Sequence, residues 1–163
     1  MVKRFLTLIL FMTFTTGCTH SVPQTSIDIA IAGEQFVLEL STDMSSRVHG
    51  LMGRTSIPEN GGMIFVFTEA KERSFWMVNC LINIDIIFLD SRGTITAIHN
   101  MLSEPPQSEE ESQWVYEERL KHYYSNGPAR FAIELTEGSI QRLNLHVNDR
   151  IPLNLQELRN LAR

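Results

Sequence analysis

The run from Gly50 to Asp90 decides the fold: GLMGR at 50–54, GGMIFVF at 61–67, FWMVNC at 75–80 and IDIIFLD at 84–90. Short apolar stretches broken by Gly and polar residues describe a packed, β-rich domain. Arg54, Asn79 and Asp85 stand inside this apolar context, where an unpaired polar group is costly. Residues placed against their solvation preference mark either a site or a structural lock.

Working outward, Met63–Phe67, Ser74–Asn79 and Ile84–Leu89 read as strands, and Ser91-Arg92-Gly93 as a tight hairpin into a strand over 94–101. Upstream, Ile27–Ile31 and Gln35–Leu40 form a hairpin pair around Ala32-Gly33-Glu34. Thr42 or Asp43 supplies an N-cap for a short helix over Met44–Met52, with Met44, Val48 and Leu51 on one face. Downstream, EPPQSEEES at 104–112 breaks the pattern with Pro and acid and reads as an exposed loop. Gln113–Tyr124 then reads as a helix with Tyr116, Leu120 and Tyr123 on one stripe, so 103–124 is taken as an inserted loop plus helix. The chain is expected to close with a strand over Arg130–Leu135, a turn at 138–143, a strand over Leu145–Leu153 and a helix over Leu155–Ala162. The expected class is mainly β: a compact β-sandwich or barrel-like domain over 27–163 with a few short helices.

Length and composition agree. A chain of 163 residues holds one ordinary domain with a real core, and 43% hydrophobic with 20% charged residues is a globular rather than a disordered composition. A formal net charge of −5 offers no basic patch for phosphates, so no nucleic-acid partner is expected.

The first residues are of another kind. Lys3 and Arg4 precede an apolar stretch, Phe5–Phe14, too short to span a bilayer, followed by Thr15-Thr16-Gly17-Cys18. This resembles a bacterial lipoprotein signal, which implies removal of 1–17, lipidation of Cys18, a polar tether over 18–26 and a membrane partner reached through the lipid. It implies an exported, membrane-anchored lipoprotein facing the periplasm or cell exterior. Cys80 is the only other cysteine, so a lipidated Cys18 leaves it unpaired, and its apolar setting favours a packed thiol.

The ordered set Arg47-x-x-Gly50-Leu51-Met52-x-Arg54, Gly62-Met63-Ile64-Phe65, Phe75-Trp76-Met77-x-Asn79 and Asp85-Ile86-x-Phe88 resembles the DUF192 family, also called uncharacterised protein family 0127. Gly93, Ile95, Glu134-Leu135, Gly138 and Asp149-Arg150 continue the match, which covers roughly 27–153. The resemblance implies a small, mainly β domain and no settled activity. The chain departs from the family pattern at Val78, Cys80, Asn83 and Asn148, where the family usually has Lys, Thr, Pro and Gly.

Asp85 needs a cation or several N–H donors, and Arg47 and Arg54 are its candidate partners. Two readings compete: an Asp–Arg or backbone-capping lock, and an anion or sugar pocket lined by Arg47, Arg54, Trp76, Asn79 and Asp85. A glycan-active enzyme would need two carboxylates about 5–10 Å apart, and Asp85 with Glu134 is the only obvious pair. Met44, Met52, Met63, Met77, Met101 and Cys80 are soft donors that would suit Cu(I), though without a tight motif. The scattered His residues lack metal-ligand spacing, and no phosphate loop or dinucleotide fingerprint is present, so no metal or other cofactor is expected. The leading expectation is a binding or accessory module of the cell envelope with an unidentified ligand or protein partner.

Overall fold

A computed structural model of the chain describes residues 24–163. The expected signal segment and Cys18 lie outside the described residues. Eight strands and four short helices follow in the order β1 (Ser26–Ile31), β2 (Glu34–Ser41), α1 (Met44–His49), β3 (Gly61–Lys71), β4 (Ser74–Phe75), β5 (Ile84–Leu89), β6 (Ile95–Met101), α2 (Gln113–Arg119), β7 (Tyr123–Tyr124), β8 (Ala129–Thr136), α3 (Ser139–Arg142) and α4 (Leu155–Leu161). The fold is mainly β, as its apolar runs imply.

A six-stranded sheet runs β1-β2-β3-β8-β5-β6, and β4 with β7 makes a two-stranded ribbon. Only β2 and β3 pair in parallel; the other neighbours are antiparallel. α1 lies in the β2–β3 crossover. Asp43 caps it: its side chain accepts from Ser46 N at 2.9 Å, and the Ser46 hydroxyl reaches back to Asp43 N.

Both faces of the large sheet are covered, which explains why β5 is buried at every position. On one face Phe36, Leu38, Ile64, Ile87, Ile133 and Leu135 pack beneath α3, the 143–153 segment and Leu158 of α4. On the other, Met63, Phe65, Ile84, Ile86, Phe88 and Ala132 pack beneath Leu51, Met77 and Tyr123 of the ribbon. Each Leu, Ile, Met or Phe among them contributes roughly 1.5–3 kcal/mol when fully buried. Gly62 lets β3 and β8 close: at φ 153°, a Cβ there would stand 2.2 Å from the Glu134 carbonyl oxygen.

Four expectations are corrected. β3 runs on to Lys71, while the 74–79 strand stops at Phe75, where its pairing with Tyr123–Tyr124 ends, and Asn79 sits in a turn at φ 52°. The 113–124 helix ends at Arg119, and Tyr123 passes into β7, although Tyr116, Leu120 and Tyr123 are all buried. The alternating run 145–153 finds no strand neighbour beyond a single bridge from Arg150 to Thr94, and covers the sheet face instead. Met44 and Val48 are 70% and 65% exposed, because α1 turns them toward an open cleft rather than the core.

Candidate functional site

The register of β5 against β8 pairs Ile86 with Glu134 and Asp85 with Leu135. Side chains alternate between faces along a strand, so Asp85 points with Ile87 and Leu89 to one face and Glu134 with Ala132 to the other. The two carboxylates are therefore separated by the sheet and do not share a site.

Asp85 is fully buried and satisfied. It accepts from Ile140 N at 2.8 Å, at the first turn of α3, and from Asn100 Nδ2 on β6 at 3.0 Å. The expected arginine partners go elsewhere. Arg54 pairs with Glu39 at 2.7 Å on the surface. Arg47 donates to the Val66 carbonyl at 3.0 Å and the Arg163 carbonyl at 3.1 Å. Asp85 is a backbone-capping lock: it ties α3 and β6 to the sheet. The Asp–Arg clamp is not formed.

Glu134 has the opposite surroundings. It is 5% exposed, and its Oε2 is buried without a hydrogen-bond partner among the described residues. Burial pushes its pKa up to about 8, so the carboxyl is protonated at neutral pH. It lies on the floor of a cleft of about 740 Å³, within the range of small-molecule sites. Arg47, Trp76 and Asn79 of the expected patch also line this cleft, whereas Arg54 and Asp85 do not.

The walls are built from several elements. β3 contributes Phe65 and Phe67, and β4 contributes Phe75, whose ring meets Phe65 edge to face at 4.9 Å and Phe88 at 5.4 Å. The 76–80 loop supplies Trp76, Asn79 and Cys80, and is held by α2: Asn79 N donates to the buried Tyr116 hydroxyl at 2.9 Å, while Asn79 O accepts from Gly53 N. The end of α1 supplies Gly50 at φ 48°, ψ −130°; a Cβ there would lie 3.4 Å from the Phe65 ring and 3.9 Å from Glu134 Oε2. A Cβ at position 50 would thus make ordinary van der Waals contact with both; it is the positive φ that favours Gly there. Arg47 and Arg73 stack over Phe67, 5.7 and 4.0 Å from its centroid.

Cys80 faces the same floor. Burial, with the Glu134 carboxylate adding to it, raises its thiol to about 12, which removes the thiolate needed for nucleophilic or metal chemistry. Of the soft donors, Met44, Met52 and Cys80 line the cleft, while Met63, Met77 and Met101 are buried in the core beside it. Among the described residues no cluster of three or more His, Cys, Asp and Glu is placed to hold a metal. No helix of the described residues is long and apolar enough to cross a membrane.

These features define a small mainly β domain with one fully partnered buried acid and one orphaned acid at the base of an aromatic cleft. The DUF192 family model, described as an uncharacterised ACR, matches residues 27–153, and the chain belongs to that family. Two crystal structures are similar. One, from Sinorhizobium meliloti 1021 and described as a candidate transcription regulator, is 30% identical with TM-score 0.62, over 77% of this chain and 89% of that one. The other, a protein of unknown function from Novosphingobium aromaticivorans DSM 12444, is 21% identical with TM-score 0.65, over 87% and 100% of the two chains. No curated protein matches the chain.

Proposed function

We propose that this chain is a ligand-binding or accessory module of the cell envelope whose site is the Glu134 cleft, and that Cys18 carries the lipid that anchors it. The carrying observation is the orphaned Oε2 of Glu134 at the cleft floor: an unsatisfied buried polar atom is costly, and a hydrogen-bonding group of a ligand would relieve it. The sheet between Asp85 and Glu134 leaves a two-carboxylate hydrolase without support. The raised Cys80 thiol gives none to Cu(I) binding. The regulator description of the S. meliloti protein has no counterpart here in charge, since a net −5 opposes binding to a phosphate backbone.

The test is a titration of the full chain in detergent micelles, labelled with carbon-13 at the Met methyls, with small aromatic compounds. Saturable shifts at Met44 and Met52, with Met101 unmoved, are expected. No saturable shift at the cleft methionines with any of them contradicts the reading. Metabolic labelling with palmitate tests the anchor: label on the native chain and none on Cys18→Ser is expected, and equal labelling of both contradicts it.

A further inference from the structure

We propose that the cleft takes an organic cation, a primary ammonium group seated against Glu134 with its hydrocarbon part along the aromatic wall. The proposal rests on the cleft being a binding site and adds the class of ligand. Three independent features point to it.

The first is the orphaned acceptor. Oε2 is sealed from solvent, has no donor among the described residues, and belongs to a side chain that lines the cleft. An ammonium group brings both a charge and N–H donors to the carboxyl from the cleft side, where Glu134 keeps its 5% exposure. The second is the wall: Phe65 stands beside the acid, and Phe75 and Trp76 offer ring surface in the same cleft, which favours a cation over an anion.

The third is the arrangement of charge along the cleft. Glu69, Glu72 and Glu117 line it against Arg47 and Arg73. The two guanidiniums gather over Phe67, four residues along β3 from Met63, the residue opposite Glu134. Phe67 itself stands about 13 Å along the strand from that position. Arg47 donates to the main-chain carbonyls of Val66 and Arg163 and Arg73 Nη2 to that of Glu69, while Arg73 Nε is buried without an acceptor among the described residues. Among the described residues no cation is paired with Glu134.

Proton bookkeeping gives the proposal its signature. Burial holds Glu134 protonated below about pH 8. Seating R–NH₃⁺ forms the ion pair R–NH₃⁺···⁻OOC–Glu134, and the carboxyl proton leaves to solvent. With a pKa of about 8, binding at pH 7 releases about 0.9 proton. The other titratable or charged groups facing the cleft are Cys80 from the 76–80 loop, Arg47 and His49 from α1, Glu69, Glu72 and Arg73 around the end of β3, and Glu117 from α2. A Glu134→Gln variant separates their contribution from that of Glu134.

The experiment compares benzylammonium with the neutral benzyl alcohol on the full chain in micelles. It uses Met methyl shifts and calorimetry in buffers of different ionisation enthalpy. Benzylammonium is expected to bind at least tenfold tighter than the alcohol, to release a proton at pH 7, and to lose both properties in Glu134→Gln. Equal affinity for the two probes without proton release overturns the cation assignment and leaves the cleft as a site for neutral ligands. No shift at Met44 or Met52 with either probe overturns both the cation and the cleft. Retention of the tenfold preference by a folded Glu134→Gln also overturns it; should that variant not fold, the wild-type preference and proton release decide alone.

Discussion

Asp85 on β5 and Glu134 on β8 sit in neighbouring strands one register step apart, and both are buried. Asp85 meets a backbone N–H and an amide on its face. Glu134 meets phenyl rings, a glycine and a thiol on the other. The same chemical group is a fastening on one side of the sheet and an unanswered acceptor on the other. Burial alone therefore does not distinguish a lock from a site; the partners do.

The sharpest way to break this contrast is Asp85→Ala. It leaves the Ile140 N–H and the Asn100 amide unpaired in the core, and is expected to cost about 3–5 kcal/mol in denaturant unfolding. A loss under about 1 kcal/mol would remove Asp85 as a lock.

Glu134 predicts the opposite pH behaviour from an ordinary carboxylate. Its folded pKa, about 8, lies above the ordinary value of 4.5, so the folded state holds the extra proton between these values. Stability contributed by that proton is complete below about pH 4.5 and is lost as pH rises to 8. The native chain should lose up to about 1.4 kcal/mol per pH unit from this group, and Glu134→Gln should remove that part of the slope. Chemical denaturation at pH 5, 6.5 and 8 measures it; identical slopes in both proteins would contradict the assignment.

How much of this was legible in the sequence follows from what sets each feature. The core strands were readable because they are dense with β-branched and aromatic residues, and Ile84–Leu89 forms with the expected ends. The family was readable from ordered residues, and DUF192 membership follows. The 145–153 run misled because alternation reports a half-buried path, not a strand neighbour. The Asp85 partners misled because register assigns faces: Arg47 lines the Glu134 face, opposite to Asp85. Glu134 itself carried the same signal as Asp85, a lone acid in an apolar run, AIEL at 132–135. Which acid finds donors depends on α3 and β6 folding back over one face, which local sequence does not state.

Smaller effects sharpen the comparison. Tyr116→Phe removes the acceptor for Asn79 N–H and should cost about 1 kcal/mol. Faster amide exchange at Asn79 checks it, and unchanged exchange would show that α2 does not hold the cleft loop. Arg54→Ala breaks only a pair whose side chains are 46% and 47% exposed, outside the cleft. It should change stability by less than about 1 kcal/mol and leave probe binding unaltered; altered binding would extend the site to that surface.

The most direct measurement is the titration of the Glu134 carboxyl by carbon-13 NMR in the full chain. A midpoint near 8 in the free protein is the expected result, moving downward when benzylammonium is added. A midpoint near 4.5, indifferent to the amine, would mean that the acid is already solvated or partnered, and the contrast between the two faces would be lost.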